Sequence, residues 1–353
     1  MTGPHTLATG LVIGESPRWH DGRLWFAHWG TQEILAVGLD GKAEVVGRGR
    51  PGLGWSIDWL PDGRLLMTGE ELTRREPDGS MVTHADLNGL ADGWNEIVVD
   101  GRGNVYVNGG CDFHPGEGIA PGVIALVTPD GSVRKVADDL AFPNGMVVTP
   151  DDSTLVVAES FAGRLTAFDI AADGTLSRRR VWADVPGDGI CMDAEGAIWC
   201  SAMDGDKHSV VRVREGGEIL QRIEVDLPCF ACMLGGEDGR TLFMLVAAWR
   251  GQEGFEENIH RLTTGPRTGK LLTAPAPAPG AGRRGSRARR PPPGAGAGRP
   301  WRLRAVSRRG PRNVGDAAGT RPPDTSPNRC RGGALGGTLD AGAGGLLGDR
   351  PGR

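Results

Sequence analysis

Residues Cys191 to Met203 read CMDAEGAIWCSAM, a short apolar run, an acidic turn closed by Gly196, and a second apolar run. An acidic residue followed by Gly between two β-rich runs is the strongest local signal for a hairpin, because Gly supplies the positive φ a tight turn needs. A lone hairpin is marginally stable in water. The fold therefore depends on how often the chain repeats this unit.

It repeats along most of the chain. One set of turns precedes strongly apolar strands: Asp21-Gly22 before RLWFA, Asp62-Gly63 before RLLMT, Asp100 to Gly103 before NVYVN, Asp151-Asp152 before STLVVAE, Glu195-Gly196 before AIWCS, and Asp238-Gly239 before RTLFMLV. A second set alternates with it at Asp40-Gly41, Asp78-Gly79, Asp130-Gly131, Asp173-Gly174, Gly216-Gly217 and Thr268-Gly269. Paired hairpins at a period of roughly 40 to 50 residues have the spacing of propeller blades. Helical periodicity is almost absent before Pro275, which argues against a parallel α/β fold. The spacing predicts an all-β protein over residues 5–282, a six-bladed β-propeller with four antiparallel strands per blade. The stretch HTLATGLVI near the start is expected to supply the strand that closes the last blade.

Composition divides the chain in two. The formal charge is −4 over 353 residues, yet residues 283–353 hold 16 Arg and 4 Asp with no Lys or Glu, or +12, leaving −16 for the rest. This Arg/Gly/Pro/Ala tail has no apolar period and reads as a disordered extension or an out-of-frame translation. Its single stacking residue, Trp301, argues against a nucleic-acid arm. No apolar run reaches membrane-span length and no secretory leader is evident, so a cytoplasmic protein is expected, without a membrane partner and as a monomer or small homo-oligomer. The six cysteines then stay reduced, and the CFAC run at Cys229 to Cys232 reads as structural thiols within a strand.

The first strand of each blade lines the channel. Aligning units on the turn that follows gives Trp55, Asn95, Asn144, Asp188 and Ala231 at the channel mouth, with Glu15 at the corresponding corner of GESPRW. Asp and Asn are common at such loop-to-strand junctions because they hydrogen-bond local backbone. Four oxygen-bearing side chains at symmetric positions point further, since buried carboxylates are relieved by protonation, pairing or metal. The oxygen set suits Ca²⁺ or Mg²⁺, with Mn²⁺ or Zn²⁺ also open, and the absence of Cys and His argues against a structural zinc site. The tryptophans read mainly as packing between blades, with Trp55 and Trp94 as alternative walls of a pocket.

GESPRW, FPNGMVVTPDDSTLVVAES and GDGICMDAEGAIW together resemble the family of senescence marker protein (regucalcin), gluconolactonase and luciferin-regenerating enzyme, over roughly residues 10–280. The resemblance implies a metal-dependent lactonase on a six-bladed propeller. It implies one divalent cation held by Glu15, Asn144 and Asp188, and a small lactone substrate contacted by Asn95. Two departures stand out. A glycine intervenes in Pro186-Gly187-Asp188-Gly189, and Gly93 stands where related sugar-lactone enzymes carry a substrate-binding Arg. The expected reaction is ring opening of a lactone with the cation polarising the carbonyl and Asp188 as general base. A non-catalytic calcium-binding propeller and a phosphotriesterase-type hydrolase are the alternatives.

Overall fold

The computed structural model describes residues 3–282 apart from 51–53, 70, 92, 111–112, 115–117 and 250–254, so the tail expected at 283–353 lies outside the described residues. Six four-stranded antiparallel sheets carry the fold; in five the strands follow one another in chain order, and the sixth takes its outer strand from the N-terminus. Their inner strands are Ile13–His20, Ile57–Trp59, Trp94–Val99, Pro143–Val148, Cys191–Met192 and Cys229–Gly235, here blades 1 to 6. Each inner strand contacts the next around the ring, and the sixth returns to the first. The predicted six-bladed propeller is the observed fold.

The turns do what their residues predict. Asp21 and Gly22 take φ of 48° and 72°, the pair of positive values that suits right-twisted strands. Apolar residues face both sides of the blades, so the core has six larger clusters, one between each pair of neighbours, and a small seventh around Val12, Ile13 and Ala247. In blade 3, Val98, Tyr106, Ile124 and Leu126 pack against blade 4, while Ile97, Val99, Val105 and Val107 pack against blade 2. Alternation along each strand thus feeds two cores. Closure follows the expected route, with His5–Leu11 pairing antiparallel to Gly269–Pro275 as the outer strand of blade 6.

Two expectations near the C-terminal end need correction. Thr268-Gly269 is no hairpin turn, because Gly269 opens the third strand of blade 6 after a long connection. That connection contains a helix, Phe255–Thr264, the exception to the near-absence of helical periodicity before Pro275. Beyond Pro275 the chain crosses the turn end of blades 6 and 5, with the Ala276 amide on the Arg240 carbonyl and the Ala281 amide on that of Met192.

Candidate metal centre and active site

The site is built from irregularities in the inner strands. Ladder register shifts between Glu15 and Arg18, between Trp94 and Ile97, and between Pro143 and Met146. An extra residue in a strand bends it and re-aims the side chains beside it. The bulges in blades 1, 3 and 4 therefore fall on the residues at the mouth, Glu15, Asn95 and Asn144. In blade 5 the inner strand starts only at Cys191, leaving Asp188 on the bend before it.

Glycines then let neighbouring corners meet. The Gly145 amide donates to the Asp188 carbonyl at 3.0 Å, and the Gly189 amide to that of Phe230 at 2.7 Å. A Cβ on Gly145 would lie 2.5 Å from the Asp188 carbonyl oxygen, and one on Gly189 would lie 2.4 Å from the Ala231 Cβ. The glycines of PNG and GDG are needed for close approach. Asp188, one residue past the inserted Gly187, lies near enough to Glu15 for its charge to act on the Glu15 carboxyl.

Side chains from the second strands fix these corners. Trp29 Nε1 donates to the Trp55 carbonyl at 2.7 Å, Thr68 Oγ1 to that of Asn95 at 3.3 Å, Asn108 Nδ2 to that of Asn144 at 2.6 Å, and Ser160 Oγ to that of Gly187 at 2.9 Å. Each blade from 1 to 4 thus holds the corner of its successor. Asn108 does most: its Oδ1 also accepts the Glu96 amide at 3.1 Å, so one buried carboxamide joins the corners of blades 3 and 4.

The electrostatics are lopsided. Glu15 is buried, and its Oε2 has no hydrogen-bond partner; nor does Oδ1 of Asp188. Burial first, then the Asp188 and Glu96 charges, hold the Glu15 carboxyl well above its usual range. Burial and the Glu96 charge raise Asp188 likewise. Glu96 is pushed up to about 7, chiefly by burial, with Asp58 adding to it against the lowering field of Arg18. Arg18 serves both acids, its Nη2 3.5 Å from Glu96 and its Nε 3.6 Å from Asp58, and it also donates to the Ile97 carbonyl at 2.6 Å. Glu96, Arg18, Asp58 and Asn108 were absent from the sequence reading.

Glu15, Asn144 and Asp188 stand at the inner-strand corners of blades 1, 4 and 5, the last two corners joined by the Gly145–Asp188 hydrogen bond, and Asn95 is partly exposed at the corner of blade 3. Among the described residues no three His, Cys, Asp or Glu side chains cluster as a metal site. The candidate donors are two carboxylates and one carboxamide, and the two unpartnered carboxylate oxygens fit a hard divalent cation. Trp55 and Trp94 are buried between blades and belong to the core. Cys191, Cys200, Cys229 and Cys232 are buried free thiols, with the Cys191 and Cys232 sulfurs 3.8 Å apart, as expected of structural cysteines.

The family described as "SMP-30/Gluconolactonase/LRE-like region" matches residues 13–248, which takes in all five complete inner-strand corners from Glu15 to Asp188 and blade 6 up to the helix. The chain belongs to this family. It is 25% identical over 299 residues to the pentonolactonase XacC of Haloferax volcanii, covering 79% of this chain and 96% of that one. It is 26% identical over 157 residues to the regucalcin of Xenopus laevis, covering 40% of this chain and about half, 52%, of that protein. A luciferin-regenerating enzyme structure superposes with a TM-score of 0.65 at 17% identity, over 80% of this chain and 98% of that one, a likeness of fold. Family members with lactonase names support a lactone hydrolase at that level. No helix among the described residues is long and apolar enough to cross a membrane.

Proposed function

We propose that this propeller hydrolyses a small lactone at the channel mouth with the help of one divalent cation. The observation that carries the reading is the pair of buried Glu15 and half-buried Asp188, each with an enclosed oxygen that no protein group satisfies. Burying unpaired carboxylates is costly, so their retention argues for an external positive partner. Glu15, Asn144 and Asp188 would hold that cation, whether Ca²⁺, Mg²⁺, Mn²⁺ or Zn²⁺. When bound it would polarise the lactone carbonyl and acidify a water molecule.

The protein's own groups handle the rest. Asn95, partly exposed beside the centre, orients the substrate or the attacking water. Asp188 receives the proton as the water oxygen bonds to the carbonyl carbon, and its burial favours taking it. The acyl C–O bond of the ring then breaks, and the released alkoxide takes up a proton to give a hydroxy acid. The cysteines in their thiol form suit a cytoplasmic setting.

The test is a panel of lactones and organophosphate triesters assayed with each of the four cations. Turnover of a lactone that chelation abolishes and a cation restores supports the reading. Turnover of triesters alone favours a phosphotriesterase, and tight cation binding without turnover leaves a binding propeller. Asp188→Asn, with cation occupancy measured separately, isolates the base: full rate at full occupancy rules out that role.

A further inference from the structure

A cavity of about 590 Å³ opens between blades 3 and 4, walled by Pro121, Leu140, Ala141, Phe142 and Phe161. It lies at the mouth end: Glu159, at its floor, pairs with Pro143 in the strand ladder, and Phe142 is two residues from Asn144. Its volume falls in the range of small-molecule sites.

Three observations point to an apolar occupant. The rings of Phe142 and Phe161 stack at 4.5 Å and 16°, and Phe161 is 56% exposed. Phe142 is held at φ 58°, a conformation costly for a bulky residue. The Ser160 amide on the Phe142 carbonyl at 3.1 Å and the Phe161 amide on that of Ala141 at 3.2 Å keep it there. Of the charged residues lining it, Asp139 is exposed, while Glu159, Arg164 and Arg179 are paired with one another. The Glu159 carboxylate takes Arg164 Nε at 3.0 Å and Arg179 Nη2 at 3.2 Å, and also accepts the Ala141 amide at 2.9 Å. Gly93, at the start of blade 3, is exposed, and among the described residues nothing beyond its chain neighbours lies within 4 Å of its Cβ position.

We infer that the Phe142–Phe161 shelf is a subsite for an apolar substituent on the substrate, so that the preferred class is an aryl- or alkyl-substituted lactone and not a bare polyol lactone. This rests on the lactonase reading. Only Pro143 stands between Phe142 and Asn144, so the Cα atoms of shelf and corner are at most about 7 Å apart, within the length of a ring-bound substituent.

The test compares γ-phenyl-γ-butyrolactone, unsubstituted γ-butyrolactone and δ-gluconolactone on the full chain, in the cation giving the fastest turnover. The wild type should favour the phenyl lactone by at least about tenfold in kcat/KM, through KM, the size of effect an apolar pocket supplies. Phe161→Ser should erase most of that preference while leaving γ-butyrolactone turnover and the melting curve unchanged, and Phe161→Leu should retain part of it. Equal use of the substituted and unsubstituted lactones by the wild type, or a preference that Phe161→Ser leaves intact, overturns the subsite while lactonase activity stands. If no lactone is turned over, the lactonase reading fails and binding of γ-phenylbutyrate decides. A tenfold weaker affinity in Phe161→Ser upholds the shelf, and no binding or equal binding overturns it.

Discussion

Buried carboxylates stand at both ends of the inner strands, and their surroundings are opposite. At the turn end Asp193 is fully satisfied: Oδ1 accepts the amides of Glu195 at 2.9 Å and Ala197 at 3.1 Å, and Oδ2 takes Arg212 Nε at 2.6 Å. Asp100 repeats the pattern in blade 3, accepting from the amides of Arg102 and Asn104 and from Asn104 Nδ2. At the mouth end Glu15 and Asp188 each keep an oxygen without a donor. Glu15 is as deeply buried as Asp100 and Asp193, and Asp188 is half-buried with its Oδ1 enclosed, so what differs most is the company. A carboxylate with all its partners tightens a turn, whereas one without them is held by the ring at a cost, which marks a place where something else binds.

Substitution should separate the two ends, most sharply through turnover. Glu15→Gln and Asp188→Asn should each lower lactone kcat/KM by about a thousandfold, roughly 4 kcal/mol, while raising the melting temperature of the chelated protein at pH 8, since a neutral amide avoids the buried charge. A drop in that melting temperature would erase the contrast. Asp193→Asn should do the reverse, costing about 3–5 kcal/mol of stability because Arg212 loses its buried partner. Its turnover, measured where it is still folded, should stay close to wild type.

Asn108→Leu sharpens the comparison from the supporting side. It removes the buried bridge between the Asn144 carbonyl and the Glu96 amide, and cation affinity by calorimetric titration should weaken about 10–100-fold. Asn108→Ala should behave similarly, and an unchanged affinity in both would show that the bridge only supports the fold.

The smallest effect concerns pH. Glu96 holds its proton to about pH 7 in the folded chelated protein, against 4.5 when unshifted. Between those values the folded state binds the extra proton, so stability falls as pH rises, by at most about 1.4 kcal/mol per pH unit for one group. Urea midpoints from pH 5 to 7 should drift downward without cation, and added cation should flatten the drift and release protons. An upward drift would contradict the raised carboxyl.

Much of the candidate site was readable because its residues sit at recurring corners: GESP, PNG and GDG put Glu15, Asn144 and Asp188 at corresponding corners of three different repeats. Arg18 was hidden for a geometric reason. It lies three residues beyond Glu15, which in a regular strand puts it on the opposite face, and only the bulge between them brings both toward the channel. Glu96 follows Asn95 through a similar shift in blade 3. Asn108 looked like an ordinary strand residue in VYVNGG, since its two partners belong to other strands. The helix Phe255–Thr264 carries Phe255, Ile259 and Leu262 at helical spacing, a short signal easily lost among strand-like neighbours.

Turn chemistry and two-residue alternation act within about ten residues of chain, so the amino-acid order alone determined the blades, their number and their closure by the first strand. Whether a given buried oxygen finds a donor depends on groups that ring closure brings in from other blades, as when Ser16 Oγ meets the Ile57 amide and carbonyl 41 positions away. That pairing is decided only in three dimensions. It is what separates Asp193, a brace for its turn, from Asp188, an acid whose Oδ1 finds no donor.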